Sequence, residues 1–255
     1  MLEAGRPFHD FNVSRAWQYD GVSVTAPDPA GSPVPQVDFW FDPMCPWAYQ
    51  TSVWIRRVRL LQPLDIRWRF FSLEEINRPE GKRHPWERPI AYGWTPMRIA
   101  AWLRRIDMSL CDRWYEAAGE ALHIHARRCY ERQVADELLA SIGAPADTWE
   151  AALADPTTHD DVRTDHEEAV NALAGFGVPI LVIDGGRPVF GPVVVPAPDG
   201  DAAAALWQVT AAYASIPGLF ELKTPKTDHD VRQIADHFAP YLAAREWQTI
   251  QRPAP

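Results

Sequence analysis

The sequence predicts an α/β fold in which one layered unit is interrupted by a long helical stretch. Three observations carry that expectation. The chain opens with a strand–helix–strand pattern between residues 37 and 70 and returns to strand character only at Ile180. The intervening roughly 100 residues read as successive helices with no strand pattern. A hairpin followed by an Ala-rich helix then completes a layered unit.

The elements follow in order. Residues 1–35 lack periodicity and end in the Pro/Gly/Ser-rich "APDPAGSPVPQ", an N-terminal extension that offers Phe8, Phe11 and Trp17 for packing. Val37 to Phe41 is a short apolar strand. From Pro46 to Leu61 the pattern turns helical, with Trp47, Val53 or Trp54, and Val58 on a core face and Arg56, Arg57 and Arg59 towards its end. In "LDIRWRFFSL", Leu64, Ile66, Trp68 and Phe70 alternate with Asp65, Arg67 and Arg69, the period of a half-buried strand.

A Pro-rich connection, "NRPEGKRHPWERP", leads into helices over "PMRIAAWLRRI", "RWYEAAGEALHIHA", "ERQVADELLASIG", "DTWEAALAD" and "PTTHDDVRTDHEEAVNALAGFG". Asp147 is an N-cap candidate, and Gly143 followed by Pro145 ends the third of these. The last of them is expected to stop near Gly175 or Gly177. Ile180 to Ile183, the Asp184-Gly185-Gly186 turn and Pro188 to Phe190 form the hairpin. Helices over 201–215 and 228–245 follow. The expected organisation is 1–35 extension, 36–74 with 176–225 as the α/β unit, 75–175 as the helical insertion, and 226–255 as a C-terminal helix and tail.

Bulk chemistry removes several function classes. With 25 Lys and Arg against 34 Asp and Glu, the net charge is −9, and no basic run is present, which argues against nucleic acid as a partner. No segment approaches the roughly 20 apolar residues of a membrane span. Three cysteines, Cys45, Cys111 and Cys129, are too few for a secreted disulfide framework. The N-terminus lacks the pattern of a secretory signal. A cytoplasmic protein with reduced cysteines is the expectation.

The chemistry concentrates at Cys45-Pro46-Trp47-Ala48, between the first strand and the first helix. A helix N-terminus offers unpaired N–H groups and the positive end of the macrodipole, both of which favour a thiolate. Pro46 suits the first helical position because its missing N–H costs nothing there. Cys45 is therefore the candidate nucleophile; the competing reading is a small buried apolar residue.

The motifs "DFWFDPMCPWAY", "FFSLEEIN", "GVPILVIDG", "VFGPV" and "LFELKTPKT" together resemble the DsbA-like branch of the thioredoxin superfamily. Within it they are most similar to mycothiol-dependent nitroreductases, with kappa-class glutathione transferases and 2-hydroxychromene-2-carboxylate isomerases as more distant relatives. The resemblance spans residues 37 to 225. It implies a thioredoxin fold with a helical insertion and a low-molecular-weight thiol, mycothiol or a glutathione-like one, as cofactor. It also implies that Pro179 is a cis-proline facing Cys45, with Pro46, Trp47 and the Val178 backbone holding the thiol's peptide-like portion. From the residues alone, Pro179 merely begins a strand.

One departure matters. The related motif is Cys-Pro-Trp-Cys, whereas position 48 here is alanine. No disulfide can close across the motif, so a mixed disulfide on Cys45 needs an external thiol to resolve it. Cys111 and Cys129 lie on expected helices; either is a candidate remote resolving cysteine, but core packing is the plainer role.

His123 and His125 face different sides of their helix, so a two-histidine metal grip is not expected. The resemblance places His123 near the pocket, and His166 matches a histidine of the related group; both are candidates for the substrate pocket. Trp86, Tyr92 and Trp94 fall in a lid-like loop and are candidates too. Asp42, three residues before Cys45, opposes a thiolate if it lies close. Asp161, Asp165 and Glu168 share a helix face, read as a solvated acidic surface rather than a metal site. No metal is expected.

The sequence thus points to a thiol-dependent oxidoreductase or transferase with a single-cysteine mechanism, acting on a small, flat electrophile or a mixed disulfide. Two alternatives stand beside it: a transferase- or isomerase-like enzyme that binds a thiol without disulfide formation, and a redox-inactive binding protein. A homodimer is left open.

Overall fold

The computed structural model describes residues 33–245. Phe8, Phe11 and Trp17 of the N-terminal extension, and the tail beyond 245, lie outside the described residues.

Four strands form one sheet in the order β2-β1-β3-β4. β1 (Gln36–Phe41) pairs in parallel with β2 (Asp65–Phe70), and antiparallel with β3 (Ile180–Ile183). β4 (Val189–Phe190) is the far edge, antiparallel to β3. Parallel neighbours need a crossover, and α1 (Pro46–Leu61) supplies it between β1 and β2. The period-two pattern decides the register: Val37, Phe39 and Phe41 stand opposite Ile66, Trp68 and Phe70, and all six are buried on one face.

The insertion holds α2 (Leu73–Ile76), a 3₁₀ turn at Pro85–Glu87, α3 (Trp94–Ile106), α4 (Met108–His123), α5 (Arg132–Ser141), α6 (Thr148–Ala154) and α7 (Thr157–Asn171). α8 (Gly200–Ser215) returns to pack on α1 and the sheet. Three expectations are corrected. α7 stops at Asn171 rather than near Gly175. Cys129 lies in the connection between α4 and α5, not on a helix. The C-terminal helix is two helices, α9 (Asp228–His237) and α10 (Ala239–Ala244), because Pro240 cannot donate to a continuing ladder and so opens a new helix.

A single apolar cluster runs from β1 and β2 through Trp54 of α1, Met97 of α3, Trp114 of α4, Trp149 of α6, Val162 of α7 and Trp207 of α8. The insertion and the α/β layer therefore share one core. A buried ion pair reinforces the joint: Arg56 donates to Asp112 at 2.7 Å and to the Ser52 hydroxyl at 2.8 Å. Its guanidinium lies 4.6 Å over the Trp68 ring.

The acidic face of α7 is solvated only in part: Glu168 is exposed and Asp161 half-buried, but Asp165 is buried, which corrects the expectation for that residue. Asp165 accepts from Arg104 at 2.5 Å and from the Phe70 N–H at 3.1 Å, and forms an ion pair with Arg69, whose Nε stands 3.3 Å away. Asp161 pairs with Arg105 and Glu168 with Arg69. Arginines of α3 and β2 consume these carboxylates.

Gly119 of α4 lets α1 approach closely, because a Cβ there would stand 2.5 Å from the Tyr49 ring. Tyr49 is buried and stacked on His123, with centroids 4.9 Å apart, so the ring has no room to yield. Gly119→Ala is expected to lower stability by about 1–2 kcal/mol, overpacking outweighing the helix-propensity gain. Urea denaturation measures this; an unchanged midpoint contradicts it.

Candidate active site

Cys45 is the N-cap of α1, with extended backbone, and Pro46 takes the first helical position. The sulfur accepts from the Ala48 N–H at 3.4 Å, and its thiol donates to the Val178 carbonyl, also at 3.4 Å. The Val178–Pro179 peptide is cis, as are Gly191–Pro192 and Val195–Pro196. Thr51 of α1 donates to the Pro192 carbonyl at 2.7 Å, tying the loop after β4 to the same helix. The strand end, the helix start and the Val178–Pro179 turn thus meet at one sulfur.

Burial reverses the expected acidity. Cys45 is only 5% exposed, and desolvation pushes its thiol up to about 12. The Ala48 N–H works in the opposite direction, but does not overcome burial. In this conformation Cys45 is a protonated donor, not a thiolate.

Asp42 is fully buried beneath the motif and accepts from the Met44 N–H at 2.8 Å and the Leu73 N–H at 2.7 Å. Desolvation raises its carboxyl to about 7 despite those bonds. Gly93 presses against it: a Cβ there would come within 2.7 Å of a carboxylate oxygen. Asp42 therefore fixes the turn that presents Cys45, and its charge adds to the forces opposing a thiolate.

His123 is buried, and its Nε2 lies 2.9 Å from the Pro43 carbonyl. A carbonyl can only accept, so Nε2 carries the proton and Nδ1 presents a lone pair, which has no hydrogen-bond partner among the described residues. Desolvation holds the ring down to about 4, so it stays neutral near pH 7. Tyr49 stacks on one side of it, and Tyr241 lies 5.1 Å away.

The other candidates divide. Trp47 is half-buried and meets Phe238 edge-on at 4.9 Å. Tyr92 packs on the cluster of Met44, Leu122, Tyr130 and Tyr241, next to the Cys45 turn. It also lines a cleft of about 630 Å³ with Arg88, Ile90, Tyr130 and Trp149. Trp94 is core, donating to His159 at 2.8 Å, and Trp86 stacks on His84 at 4.2 Å; neither contact reaches Cys45. His166 accepts from the Ser72 N–H at 3.1 Å and anchors the end of β2. Cys111 and Cys129 are free and fully buried. Sequence reasoning does not single out Tyr49, Phe238 or Tyr241. The spacing of Phe238, Tyr241 and Ala244, three residues apart, is the one signal that marks a buried stripe there.

A family model described as Rv2466c-like, mycothiol-dependent nitroreductase Rv2466c, matches residues 44–224. The chain belongs to that family. It is similar to the uncharacterized protein Rv2286c of Mycobacterium tuberculosis, 54% identical over 216 residues, covering 85% of this chain and 93% of that protein. Among solved structures it resembles the cytosolic disulfide reductase DsbM from Pseudomonas aeruginosa with GSH, at 17% identity and a TM-score of 0.51. That match covers 69% of this chain and 99% of DsbM. It also resembles a 2-hydroxychromene-2-carboxylate isomerase, at 13% identity and a TM-score of 0.52, covering 69% of this chain and 93% of the isomerase. These two likenesses establish the DsbA-like thioredoxin fold with a helical insertion. Family membership supports a thiol-dependent enzyme. No helix among the described residues is long and apolar enough to cross a membrane.

Proposed function

We propose that this protein is a cytoplasmic enzyme of thiol chemistry in which Cys45 exchanges with a low-molecular-weight thiol, mycothiol by family, and acts on a small electrophile or mixed disulfide. The observation that carries this reading is the Cys45 sulfur between the Ala48 N–H and the Val178 carbonyl, with alanine where a resolving thiol would stand. The residues suit a small hydroxylated thiol. Val178 offers backbone beside the sulfur, Trp47 offers an apolar wall, and the unpartnered Nδ1 of His123 offers an acceptor for a hydroxyl. The thiol supplies the second sulfur that the chain itself lacks at the motif.

The exchange balances as follows. The Cys45 thiolate attacks one sulfur of a disulfide RS–SR′, the S–S bond breaks, and R′S⁻ leaves with the proton that Cys45 gave up. An external thiol R″SH then attacks the outer sulfur of the Cys45–SR disulfide, leaves as R″S–SR, and its proton returns to the Cys45 thiolate. The α1 N-terminus stabilises the thiolate at both steps once the sulfur is hydrated. Incubation with mycothiol disulfide is expected to add the mass of one mycothiol less two hydrogens to the protein, on Cys45, and nothing to Cys45→Ala. Intact-mass analysis tests it; absence of the adduct removes this reading.

A second reading is favoured by one observation, that Cys45 is protonated and donates to Val178. In it Cys45 holds a bound thiol by hydrogen bonding, without a disulfide, as a transferase or isomerase would. Cys45→Ser retains a donor and is expected to keep turnover under this reading, and to lose it under the first.

A further inference from the structure

The Cys45 site is covered by a part of the chain that the family match, ending at residue 224, does not reach. Phe238, between α9 and α10, sets its ring edge-on to Trp47 at 4.9 Å. Tyr241 and Ala244 of α10 complete the cluster of Met44, Leu122 and Tyr130, and Tyr241 lies 5.1 Å from His123. Arg128 donates to the Ala244 carbonyl at 2.9 Å. Next to Cys45 in sequence, Met44 is only 4% exposed under this cover.

The cover is lightly held. α9 buries no residue, although a Thr227–Asp230 capping box opens it. The stretch from Pro217 to Lys226 has no regular structure, and it leaves Phe220 86% and Leu222 70% exposed. Phe238, Tyr241 and Ala244 are the only residues from 217 onward that are buried among the described residues. Segments with so few buried apolar contacts open at much lower free energy than the core.

We infer that α9 and α10 form a displaceable cover over Cys45, which must lift before an external thiol or electrophile reaches the sulfur. The inference rests on Cys45 being the reacting atom, though not on which chemistry follows. A mechanism whose second thiol comes from outside has to admit a reactant twice, so the cover lifts at each half-reaction. While closed, it keeps the sulfur dry and bonded to Val178, which shields it from adventitious oxidation. Lifting it restores water and leaves the helix N-terminus to favour the thiolate.

Peptide-mapped alkylation by iodoacetamide tests this on the full chain. In Phe238→Ala and Tyr241→Ala, labelling of Cys45 is expected to accelerate at least about tenfold, the equivalent of about 1.4 kcal/mol. Cys111 and Cys129, buried in the core, report global unfolding and are expected to keep their wild-type rates. A Cys45 rate within about twofold of wild type overturns the inference, and so does an equal rise at all three cysteines. Hydrogen exchange on the wild type supplies a second measurement. Methylthiolation of Cys45 is expected to raise exchange in 228–244 and leave α3, which does not pack on the cover, unchanged; no rise in 228–244 overturns the inference. Iodoacetamide needs no thiol cofactor. Fast labelling without a mycothiol adduct therefore fails the proposed function and spares the cover, and slow labelling in both variants with an adduct does the reverse.

Discussion

In Ala48→Cys the mixed disulfide on Cys45 is expected to vanish, replaced by an internal disulfide between Cys45 and the thiol introduced at position 48. Ala48 is fully buried in the first turn of α1, and its N–H already points at the Cys45 sulfur from 3.4 Å. Residues three apart in a helical turn carry Cβ atoms about 5–6 Å apart, and a modest adjustment of the N-cap brings them within disulfide range. The new thiol attacks from a tethered position, so it should outrun a millimolar external thiol by at least about 10²-fold. Intact mass reads the outcome directly: the adduct mass is replaced by a loss of two hydrogens. A persistent adduct on Cys45 in this variant shows that position 48 does not control resolution. The extra sulfur in a filled site costs about 1–2 kcal/mol, which leaves the folded protein in hand for the measurement.

The stability difference between wild type and Asp42→Asn is expected to change by about 4 kcal/mol between pH 4 and 8, against the wild type as pH rises. The Asp42 carboxyl ionises at about 7 in the fold against an ordinary 3.8, because burial penalises its charge. Below the lower value both states hold the proton, and Asp42 contributes no pH dependence. Between the two, the unfolded chain releases the proton and the folded chain keeps it, so unfolding is increasingly favoured until pH passes 7. His123 runs the other way. Held at about 4 against 6.5, it stays neutral in the fold while the unfolded chain binds a proton, so stability falls as pH drops from 6.5 towards 4. The two slopes offset each other over much of that range in the wild type. Asparagine keeps one acceptor for Met44 or Leu73 and removes the titration. Chemical denaturation of both proteins across this range isolates Asp42; a pH-independent difference contradicts its burial as an ionisable group.

The sheet and the helices of the insertion were legible because their periods are local. Val37 to Phe41, the alternation over 64–70 and the Asp184-Gly185-Gly186 turn each declare themselves within a few residues. The turn at Cys45 was legible for the same reason, since Cys45-Pro46 spells a helix start. What surrounds that centre was not, because it comes from afar. Asp165 reads as a solvated acid until Arg69 and Arg104, separated from it by about 60 residues or more, are brought to it. Cys45 reads as an activated thiol until Phe238 and Tyr241, nearly 200 residues later, pack on its neighbours Trp47 and Met44. The break of the last helix was within reach, since Pro240 announces it.

The core shared by the α/β layer and the insertion, with Arg56 and Asp112 clamped inside it, also settles the mechanical division of labour. An inserted domain invites the picture of a jaw that swings against its host, but a jaw needs a seam. Here Trp54, Trp68 and Trp114 belong to one continuous cluster across the place where that seam would run. The topological insertion has no seam of its own to hinge on in this core, so the motion inferred for the Cys45 cover falls to the light C-terminal strap, which buries only Phe238, Tyr241 and Ala244 among the described residues from 217 onward.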